Sequence, residues 1–393
     1  MSASTVYKAA SLASKRPPRG ALRPAKRSTN LMAIISRPSS FCRGSGQLIL
    51  GSILKFFPTK PTTPQLPMKK ILITGGAGFV GRHFVRHFLQ NGDEVHCVDN
   101  IVPLTGGIDP RVGWPLFDPR DYKNFHFHLE DCRSHFQRQQ ATDFDYAFHL
   151  AAMVGGREMI EYNPLVVAED LSIDAEYWKW AKACKPKKSI CFSSSAAYPV
   201  KYQSADNHVL LREEMINFER DLGMPDMSYG WAKLTHEYLA QLAYSRHGIR
   251  SVTYRPFSGY GEDQDSAYPF PSICKRVLQN RGSEEITVWG SGHQSRDFIH
   301  IDDCVRGVLT TMDKIDDGSA VNLSTGILTS FKQFAFMAAR KLGYTPTVRG
   351  TSNKPEGVFA RGGDTAKQAA LGFKSEIPFS QGIDRALRYF DGI

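Results

Sequence analysis

The sequence predicts an α/β protein: a Rossmann-type, doubly wound parallel sheet followed by a smaller C-terminal α/β lobe. Short apolar runs rich in β-branched residues alternate with helical stretches, as in chains that form a parallel sheet with helices on both faces. A glycine-rich turn joins the first of these runs to the first helix. After about residue 255 the alternation loosens, and Gly, Pro and aromatic residues become more frequent. We therefore expect a basic leader over 1–67, an α/β domain over 68–255, and a smaller lobe over 256–393 that interleaves with it.

The formal net charge of +10 belongs to the leader. Residues 1–67 hold 11 Lys and Arg and no acid, so the other 38 basic residues face all 39 acidic ones. Because this nearly neutral body lacks the positive surface that nucleic acids require, we expect no nucleic-acid partner. The Ser, Arg and Pro content of the leader is typical of a transit peptide, which predicts a plastid or mitochondrion. If Met68 is instead the start that is used, we expect a cytoplasmic protein.

Two further features limit the class of protein. No run of 18 or more apolar residues exists, so we expect no transmembrane helix. The seven cysteines form no Cys-x-x-Cys pair, which favours a reducing compartment over a disulfide scaffold or a structural zinc site. His149, His293 and His300 also lack ligand spacing, so we expect no bound metal.

The alternation defines the first elements of the body in chain order. Strands are predicted over 70–74, 94–99, 146–150 and 189–192, and helices over 79–91 and from 229 to about 247. The strands at 146–150 and 189–192 are each followed by a helical stretch. Such a βαβ order places the carboxyl ends of the strands, and the loops that follow them, at one edge of the sheet.

The turn after the first strand contains Gly75, Gly78 and Gly81. Small residues there let the backbone approach a pyrophosphate, which the N-terminus of the next helix can then face. Asp99 ends the second predicted strand, 18 residues after Gly81, where a carboxylate can hold both hydroxyls of an adenosine ribose. That carboxylate would repel a 2′-phosphate, and no Arg follows it directly. The motif therefore predicts NAD rather than NADP as the cofactor.

Tyr229 and Lys233 lie four positions apart and so share one face of a helix. A lysine ammonium beside a phenol lowers the phenol pKa from its reference value of about 10. The phenolate can then take a proton from a hydroxyl while hydride leaves the carbon. A Ser or Thr at the end of a strand would complete such a site, and three consecutive serines, 193–195, follow a predicted strand.

The glycine spacing is Gly-x-x-Gly-x-x-Gly, and with Tyr-x-x-x-Lys it resembles the extended short-chain dehydrogenase/reductase family of nucleotide-sugar epimerases and dehydratases. The resemblance extends from about residue 69 to 391 and implies an enzyme that uses NAD and acts on a UDP- or GDP-linked sugar. Alignment on Tyr198-Pro199 implies that Ser194 is the catalytic hydroxyl, with Ser195 as the fallback and as a substrate contact. The resemblance implies further NAD contacts from Phe79, Val80, Asp131, Leu150, Ala151 and Ala152, besides Tyr229 and Lys233.

The two positions after Ser194 distinguish the reactions within this family. Dehydratases that resemble the chain carry Asp-Glu there, glucuronate decarboxylases carry Glu, and GDP-mannose 3,5-epimerases carry Cys at the second position. Here the residues are Ser195 and Ala196, which supply no second acid or base. The remaining groups can oxidise and reduce one sugar alcohol, which is all that a 4-epimerase needs. We therefore expect 4-epimerisation by transient oxidation at C4 with NAD retained.

Alternatives remain at this point. A GDP-mannose 3,5-epimerase-like enzyme is supported by Gly155-Gly156 and by Cys274-Lys275-Arg276, although the usual lysine position is Tyr268. A nucleotide-sugar reductase or dehydratase is the second alternative. A plastid RNA-binding member of the family is the non-enzyme alternative, and the presence of Tyr229 and Lys233 argues against it.

The resemblance also implies the residues that hold the nucleotide sugar. Arg296 matches the Arg that grips the pyrophosphate, and Arg361 is a second phosphate or ribose candidate. Ser258 stands where the family has an Asn near a phosphate, and an Asn usual on the helix after the fourth strand is replaced by Asp170 or Ser172. Relatives pair the helix that bears Tyr and Lys with a partner's helices, so we expect a homodimer. The base and the sugar are not specified by the sequence.

Overall fold

The structure, a computed structural model, describes residues 67–139, 143–351 and 356–392. The predicted leader, apart from Pro67, lies outside the described residues, and so do the predictions of localisation that rest on it. All described residues belong to one compact unit. In the described part of the chain, no helix is both long and apolar enough to cross a membrane.

The described residues form 14 strands and 11 α-helices. In chain order the strands are β1 (Lys70–Thr74), β2 (Glu94–Asp99), β3 (Phe125–Leu129), β4 (Tyr146–His149), β5 (Lys188–Phe192), β6 (Leu210–Leu211), β7 (Ser251–Pro256), β8 (Ser258–Tyr260), β9 (Glu285–Trp289), β10 (Ser295–His300), β11 (Asp317–Leu323), β12 (Leu328–Ser330), β13 (Thr347–Thr351) and β14 (Ala360–Gly363). The helices are α1 (Phe79–Gln90), α2 (Cys132–Arg138), α3 (Arg157–Tyr162), α4 (Pro164–Val167), α5 (Asp170–Cys184), α6 (Met227–His247), α7 (Pro269–Gln279), α8 (Ile301–Thr311), α9 (Phe331–Lys341), α10 (Ala366–Ala370) and α11 (Phe379–Asp391).

Seven parallel strands form the central sheet, in the order β11-β7-β5-β4-β1-β2-β3. Apolar side chains cover both faces: one cluster contains Phe84 and Phe148, and the other contains Phe136 and Tyr177. Burial on both faces explains why β1, β4 and β5 read as continuous apolar runs rather than as alternating ones. The predicted doubly wound α/β fold is confirmed, and the predicted elements agree with the observed bounds to within two residues.

The strand order reverses between β1 and β4, because the chain passes from β1 to β2 and β3 on one side and then to β4 and β5 on the other. In open α/β sheets, ligands bind at such a switch point, beyond the carboxyl ends of the strands. The loops after β1, β2, β4 and β5 meet there, and they carry the glycine turn, Asp99 and the serine run.

The C-terminal third builds two smaller sheets and returns one strand to the central sheet. The smaller sheets have the orders β12-β10-β14-β6 and β13-β9, and β8 also pairs with β10. A cluster of aromatic rings that includes Phe270, Phe298 and Phe334 packs between α7, α9 and β10. The predicted boundary after residue 255 falls within β7, while β11, from beyond it, completes the edge of the central sheet.

Candidate active site

A cavity of about 540 Å³ opens at the switch point. Every residue predicted to contact cofactor or substrate lines it except Lys233, which is buried behind Tyr229. The lining residues that were predicted are Gly75, Gly78, Phe79, Val80, Gly81, Asp99, Asp131, Leu150, Ala151, Ala152, Ser194, Ser195, Tyr229, Ser258, Arg296 and Arg361. Residues from nine separate parts of the sequence thus line the same cavity.

The glycine turn is packed so closely that side chains are excluded from it. Gly75 has φ +69°, and a Cβ there would lie 2.7 Å from the backbone nitrogen of Ala151. At Gly81 a Cβ would lie 2.3 Å from the carbonyl oxygen of Gly75. Gly78 begins α1 as its N-cap, so the amide groups of the first turn point toward the cavity. The turn is therefore shaped for a phosphate group at a helix N-terminus.

Asp99 lies at the end of β2 with its carboxylate at the cavity wall. Its Oδ2 accepts from the Ala77 backbone N–H at 3.0 Å, and its Oδ1 accepts from the Ile101 backbone N–H at 2.7 Å. Burial raises the pKa of Asp99, and these N–H groups oppose that rise. The second lone pair of each oxygen is available to a ligand hydroxyl. This arrangement, with the glycine turn, fits the adenosine diphosphate half of NAD.

Asp131 and Leu150 to Ala152 form other parts of the same wall. Asp131 caps α2, and its carboxylate also pairs with Arg133 at 2.6 Å. Ala151 is the residue that the glycine turn approaches, so the segment after β4 and the turn after β1 are in direct contact.

Tyr229 and Lys233 lie on one face of α6, with Lys233 Nζ 5.7 Å from the centroid of the Tyr229 ring. Burial raises the pKa of Tyr229, while the Lys233 ammonium and the Ser194 hydroxyl lower it. The sequence-based expectation that the lysine lowers the phenol pKa thus names one contribution, which burial outweighs in this structure. The bound positive nicotinamide ring would add a second lowering charge.

A buried carboxylate pairs with Lys233. Asp170 Oδ2 lies 3.5 Å from Lys233 Nζ, and Asp170 Oδ1 accepts from the Met153 backbone N–H. Burial alone would lower the pKa of Lys233, but Asp170 and Tyr229 more than offset this, and the net shift is upward. Of the two residues considered for the usual Asn position, Asp170 therefore faces the site, while Ser172 accepts a hydrogen bond from Arg133 at the surface.

One helical turn further along, α5 and α6 repeat the pairing. Asp174 Oδ1 lies 3.0 Å from His236 Nδ1 and 3.1 Å from His149 Nε2, and all three side chains are buried. The Asp174 carboxylate offsets the effect of burial on His236 and raises its pKa to about 10, whereas burial lowers the pKa of His149 to about 4. His149 also bonds Thr74 Oγ1 at 2.8 Å. The interior behind Tyr229 therefore holds two cations, Lys233 and His236, matched by two carboxylates.

Ser194 is the serine whose hydroxyl lowers the pKa of Tyr229. Its hydroxyl oxygen accepts from the Ala196 backbone N–H at 3.1 Å, which caps a short 3-10 helix. Ser195 and Ala196 are buried and also line the cavity. Ala196, the position where the family resemblance implies an acid or base in other enzymes, is thus at the cavity wall with a methyl side chain.

Three arginines meet at the other end of the cavity. Arg296 on β10 and Arg361 on β14 are direct partners on adjacent parallel strands. Asp226 pairs with Arg361 at 2.8 Å and with Arg157 at 3.0 Å. In the described part of the chain, Arg296 donates only to the Ser295 carbonyl, at 2.8 Å, and its guanidinium lies over the Phe331 ring. Like charges side by side on adjacent strands are unfavourable unless an anion joins them.

The other residues considered for catalysis or binding differ in whether they line the cavity. Tyr268 lines the cavity, and its pKa is raised by burial and by the neighbouring Tyr229. Lys275 donates to Ser266 Oγ at 2.6 Å and does not line the cavity. Arg255 is buried in a pair with Glu237 beneath the site, while the residues that follow it, Pro256, Phe257 and Ser258, line the cavity.

Among the lining residues that were not predicted are two charged side chains at the arginine end, Arg157 and Asp226. Arg157 follows Gly155-Gly156 after β4, a position at the functional edge of the sheet that could have drawn attention. Asp226 immediately precedes α6, three residues before Tyr229, and no local pattern marks it as the partner of two distant arginines.

A Rossmann sheet with a glycine turn, an acidic residue ending β2 and a Tyr–Lys pair at its switch point defines a dinucleotide-dependent enzyme of the short-chain dehydrogenase/reductase type. The sequence matches the NAD dependent epimerase/dehydratase family over residues 71–324, more than half of the chain, and the protein belongs to this family. The predicted family and the predicted NAD cofactor are confirmed.

Three similar proteins illustrate the range of this family. A probable GDP-L-fucose synthase from Oryza sativa subsp. japonica is 26% identical over 332 residues, which cover 82% of this chain and 92% of that protein. A UDP-glucuronic acid 4-epimerase from Bacillus cereus, crystallised with UDP-glucuronic acid and NAD, is 24% identical with a TM-score of 0.68, covering 82% and 99% of the two chains. A dTDP-glucose 4,6-dehydratase from Streptomyces venezuelae, crystallised with NAD, is 20% identical with a TM-score of 0.69, covering 82% and 97%. The two solved structures establish the fold.

Proposed function

We propose that the protein is a nucleotide-sugar 4-epimerase that keeps its NAD bound through the reaction. The observation that carries this proposal is Ala196 at the cavity wall beside Ser194 and Tyr229. A methyl group cannot eliminate water, assist decarboxylation or exchange a proton next to a ketone. The groups around Tyr229 suffice for removing and returning one hydroxyl proton, which 4-epimerisation requires.

The cofactor site of this proposal consists of residues already described. The amide groups at the start of α1 would hold the pyrophosphate, and Asp99 would hold the adenosine ribose. Leu150, Ala151 and Ala152 would lie below the nicotinamide ribose, with Lys233 reaching its hydroxyls. When bound, NAD supplies the hydride acceptor for C4 and the hydride that returns to it.

The proton chemistry falls to Tyr229. Its phenolate takes the proton of the C4 hydroxyl and later returns a proton to the C4 oxygen, after the sugar has presented its other face. Lys233 stabilises the phenolate, and Asp170 keeps the lysine charged. Ser194 is held by the Ala196 N–H, so its own proton can bond the sugar oxygen that Tyr229 deprotonates. Ser195 remains the fallback for this role.

The nucleotide diphosphate would occupy the arginine end of the cavity. Arg296 can bond two phosphate oxygens at once through its planar guanidinium, and Arg361 lies beside it on the next strand. Ser258 would contact the sugar or a phosphate. Neither UDP nor GDP is favoured by the described lining.

The test is turnover without added cofactor. The purified protein is incubated with UDP- and GDP-sugar pairs that differ only at C4, and the products are resolved by chromatography, while denatured protein is analysed for released NAD by mass spectrometry. The proposal predicts interconversion of one such pair and about one NAD per chain. A requirement for stoichiometric NADH or NADPH would instead identify a reductase.

A second candidate, a 3,5-epimerase-like reaction, is favoured by one feature. Tyr268 lies next to Tyr229 in the cavity lining, and the upward shift of its pKa keeps its phenol protonated. It could act as the proton donor that Ala196 cannot be. Lys275, the other residue considered for that role, is engaged outside the cavity.

We further propose a homodimer through α6 and the neighbouring α4. Tyr238 and Leu165 expose 45% and 84% of their surface, as an apolar face that awaits a partner would. On the same helix, Ala243 packs in the core, and Leu239 and Leu242 are half-buried. Light scattering at micromolar concentration should give twice the chain mass, and Leu165→Glu should restore the monomer.

The destination of the protein rests on the leader, and we propose a plastid or mitochondrion. A fluorescent protein fused behind residues 1–67 should enter one of these organelles. Diffuse cytoplasmic fluorescence would indicate that Met68 is the working start.

A further inference from the structure

One face of β2 and β3 carries a strip of imidazole and carboxylate side chains that the cavity does not use. Four of the 12 histidines of the chain lie in it. From β2 to α2 its members are Glu94, His96, His126, His128, Glu130 and His135. Because β3 is the edge strand of the central sheet, the strip borders solvent.

The register of the sheet brings three of these side chains together. His96 and His126 are direct partners on adjacent parallel strands. Alternate residues of a strand share a face, so Glu94 stands on the same side as His96. His96 and His126 are 30 positions apart in the sequence, and the cluster exists only once β2 and β3 pair. This is why ligand spacing in the sequence indicated no metal.

The distances suit a small cation. His96 Nε2 lies 2.7 Å and His126 Nε2 lies 3.9 Å from the same oxygen, Glu94 Oε1. One donor atom from each residue lies within 4.8 Å of the others. Tetrahedral zinc, with bonds of about 2.0–2.1 Å, separates its ligand atoms by about 3.3 Å, so small side-chain rotations would close the site. The His126 side chain is 46% exposed, which gives an ion access from solution.

The surroundings already orient the central ligand. His96 Nδ1 lies 3.3 Å from His128 Nε2, and the Phe144 ring packs edge-on against His96. Metal-binding histidines commonly use their second ring nitrogen in such a hydrogen bond, which fixes the ring and its tautomer.

We propose that Glu94, His96 and His126 bind one Zn²⁺, with water as the fourth ligand. Two imidazoles and one carboxylate suit Zn²⁺, whereas Mg²⁺ and Ca²⁺ prefer oxygen ligands throughout. The cation already nearby is Lys70, whose Nζ is 4.0 Å from Glu94 but 2.8 Å from Asp143, so the lysine has a nearer partner. The ion would fasten the edge strand β3 to β2, away from the carboxyl ends where the cavity lies.

Two neighbouring clusters fit an ion less well. In the group of His128, Glu130 and His135, the Glu130 carboxylate is already bonded to both His135 and Arg138. The group of His149, Asp174 and His236 is closed to solvent and is charge-matched as it stands. The site on β2 and β3 combines an open side with a carboxylate that no arginine holds in the described structure.

The test is isothermal titration calorimetry of the full chain, without a polyhistidine tag and freed of metal by a chelator. Titration with ZnCl₂ should show one ion per chain, and MgCl₂ should show none. Glu94→Gln and His126→Ala should each lower the zinc affinity at least tenfold, or about 1.4 kcal/mol. His247→Ala, an exposed histidine at the end of α6, is the matched control and should bind zinc like the wild type.

A second readout guards against variants that do not fold. Zinc should raise the melting temperature of the wild type, since an ion that binds only the native state stabilises it, and it should leave that of Glu94→Gln unchanged. Absence of zinc binding by the wild type would overturn the proposal. So would loss of binding in His135→Ala with full binding in Glu94→Gln, because the ion would then lie in the neighbouring cluster.

Discussion

Charged side chains are paired differently at the two ends of the cavity. Behind Tyr229, each buried cation has its own carboxylate: Lys233 pairs with Asp170 and His236 with Asp174. At the far end, Arg296 and Arg361 lie side by side, and the nearby Asp226 is shared with a third arginine.

Under the proposed function, this difference separates catalysis from binding. The charges inside the catalytic end are paired before any ligand arrives, so its groups would be held in place and cost little reorganisation during the reaction. The ligand would complete the binding end, because Arg296 has a guanidinium fork with no carboxylate in the described chain to fill it. Asp99 would be the counterpart for the cofactor, since among the described residues its carboxylate accepts hydrogen bonds only from backbone N–H groups.

The largest loss of activity should come from removing the reacting hydroxyl group at the catalytic end of the cavity. Tyr229→Phe removes the acid/base hydroxyl and should lower kcat about 10³-fold, within the range of general acid–base catalysis. NAD should stay bound, because the ring still packs and Lys233 is untouched. Steady-state rates and the NAD content of the purified variant measure both. Tyr244→Phe, an exposed tyrosine on the same helix, is the control, and equal losses in the two variants would contradict the role of Tyr229.

The second largest effect should come from removing the guanidinium group at the other end of the cavity that has no carboxylate partner in the described chain. Arg296→Ala removes a bidentate contact to the diphosphate and should lower kcat/KM about 100-fold, mainly through KM. Arg296→Lys should recover only part of this, because an ammonium lacks the planar fork. The exposed Arg340→Ala serves as the matched control. A large fall in kcat with KM unchanged would place Arg296 in the chemical step instead.

Asp99→Ala should show that cofactor binding also depends on a charged group that only the ligand completes. Loss of charge-assisted bonds to the ribose should weaken NAD binding roughly 10-fold or more, and the ratio of NADP to NAD affinity should rise because repulsion of a 2′-phosphate disappears. Fluorescence titration of cofactor-free protein measures both constants. If the wild type bound NADP more tightly than NAD, the assignment of Asp99 would be wrong.

Asp170→Asn removes the negative charge that pairs with Lys233 and changes the shape of the side chain very little. The Asp170 carboxylate raises the pKa of Tyr229, and the reaction needs the phenolate, so activity rises with pH through that pKa. Removing the carboxylate should move this rise to lower pH. The measurement is kcat/KM against pH for wild type and variant. A rise that stays in place or moves to higher pH would show that Asp170 acts only by holding Lys233.

The smallest effect should be at Tyr268. If the reaction stops at C4, Tyr268→Phe should change kcat less than about twofold, because its phenol takes no part in proton transfer. The measurement is kcat on the same nucleotide-sugar pair, and the loss in the Tyr229→Phe variant is measured alongside for comparison. A loss comparable to that of Tyr229→Phe would favour the 3,5-epimerase-like alternative.

The positions of the glycine turn, Asp99 and the Tyr229–Lys233 pair were largely predictable because their signals are local. Gly75 to Gly81, Asp99, and Tyr229 with Lys233 each lie within or beside a single element whose period the sequence displays. The strand bounds followed from apolar runs that are buried on both faces. Ser194 needed the alignment on Tyr198, and in the structure its hydroxyl lowers the pKa of Tyr229.

What escaped prediction depends on contacts between distant segments. The partnership of Asp226 with Arg157 and Arg361 joins residues 69 and 135 positions apart, which no periodicity reports. The direct pairing of Arg296 with Arg361 and that of His96 with His126 are likewise properties of strand register. The pairing of β11 with the central sheet also joins distant segments, and it places part of the smaller lobe within the larger domain.

The central claim is that only hydride and hydroxyl protons move, because no acid or base stands at Ala196. The direct measurement is turnover in deuterated water of the nucleotide sugar that the protein accepts, followed by NMR and mass analysis of substrate and product. If Ala196 leaves the site without a second acid or base, C4 is inverted and no deuterium is bound to any carbon of the sugar. Deuterium at C3 or C5 would contradict it, since that label requires proton exchange beside a ketone at C4.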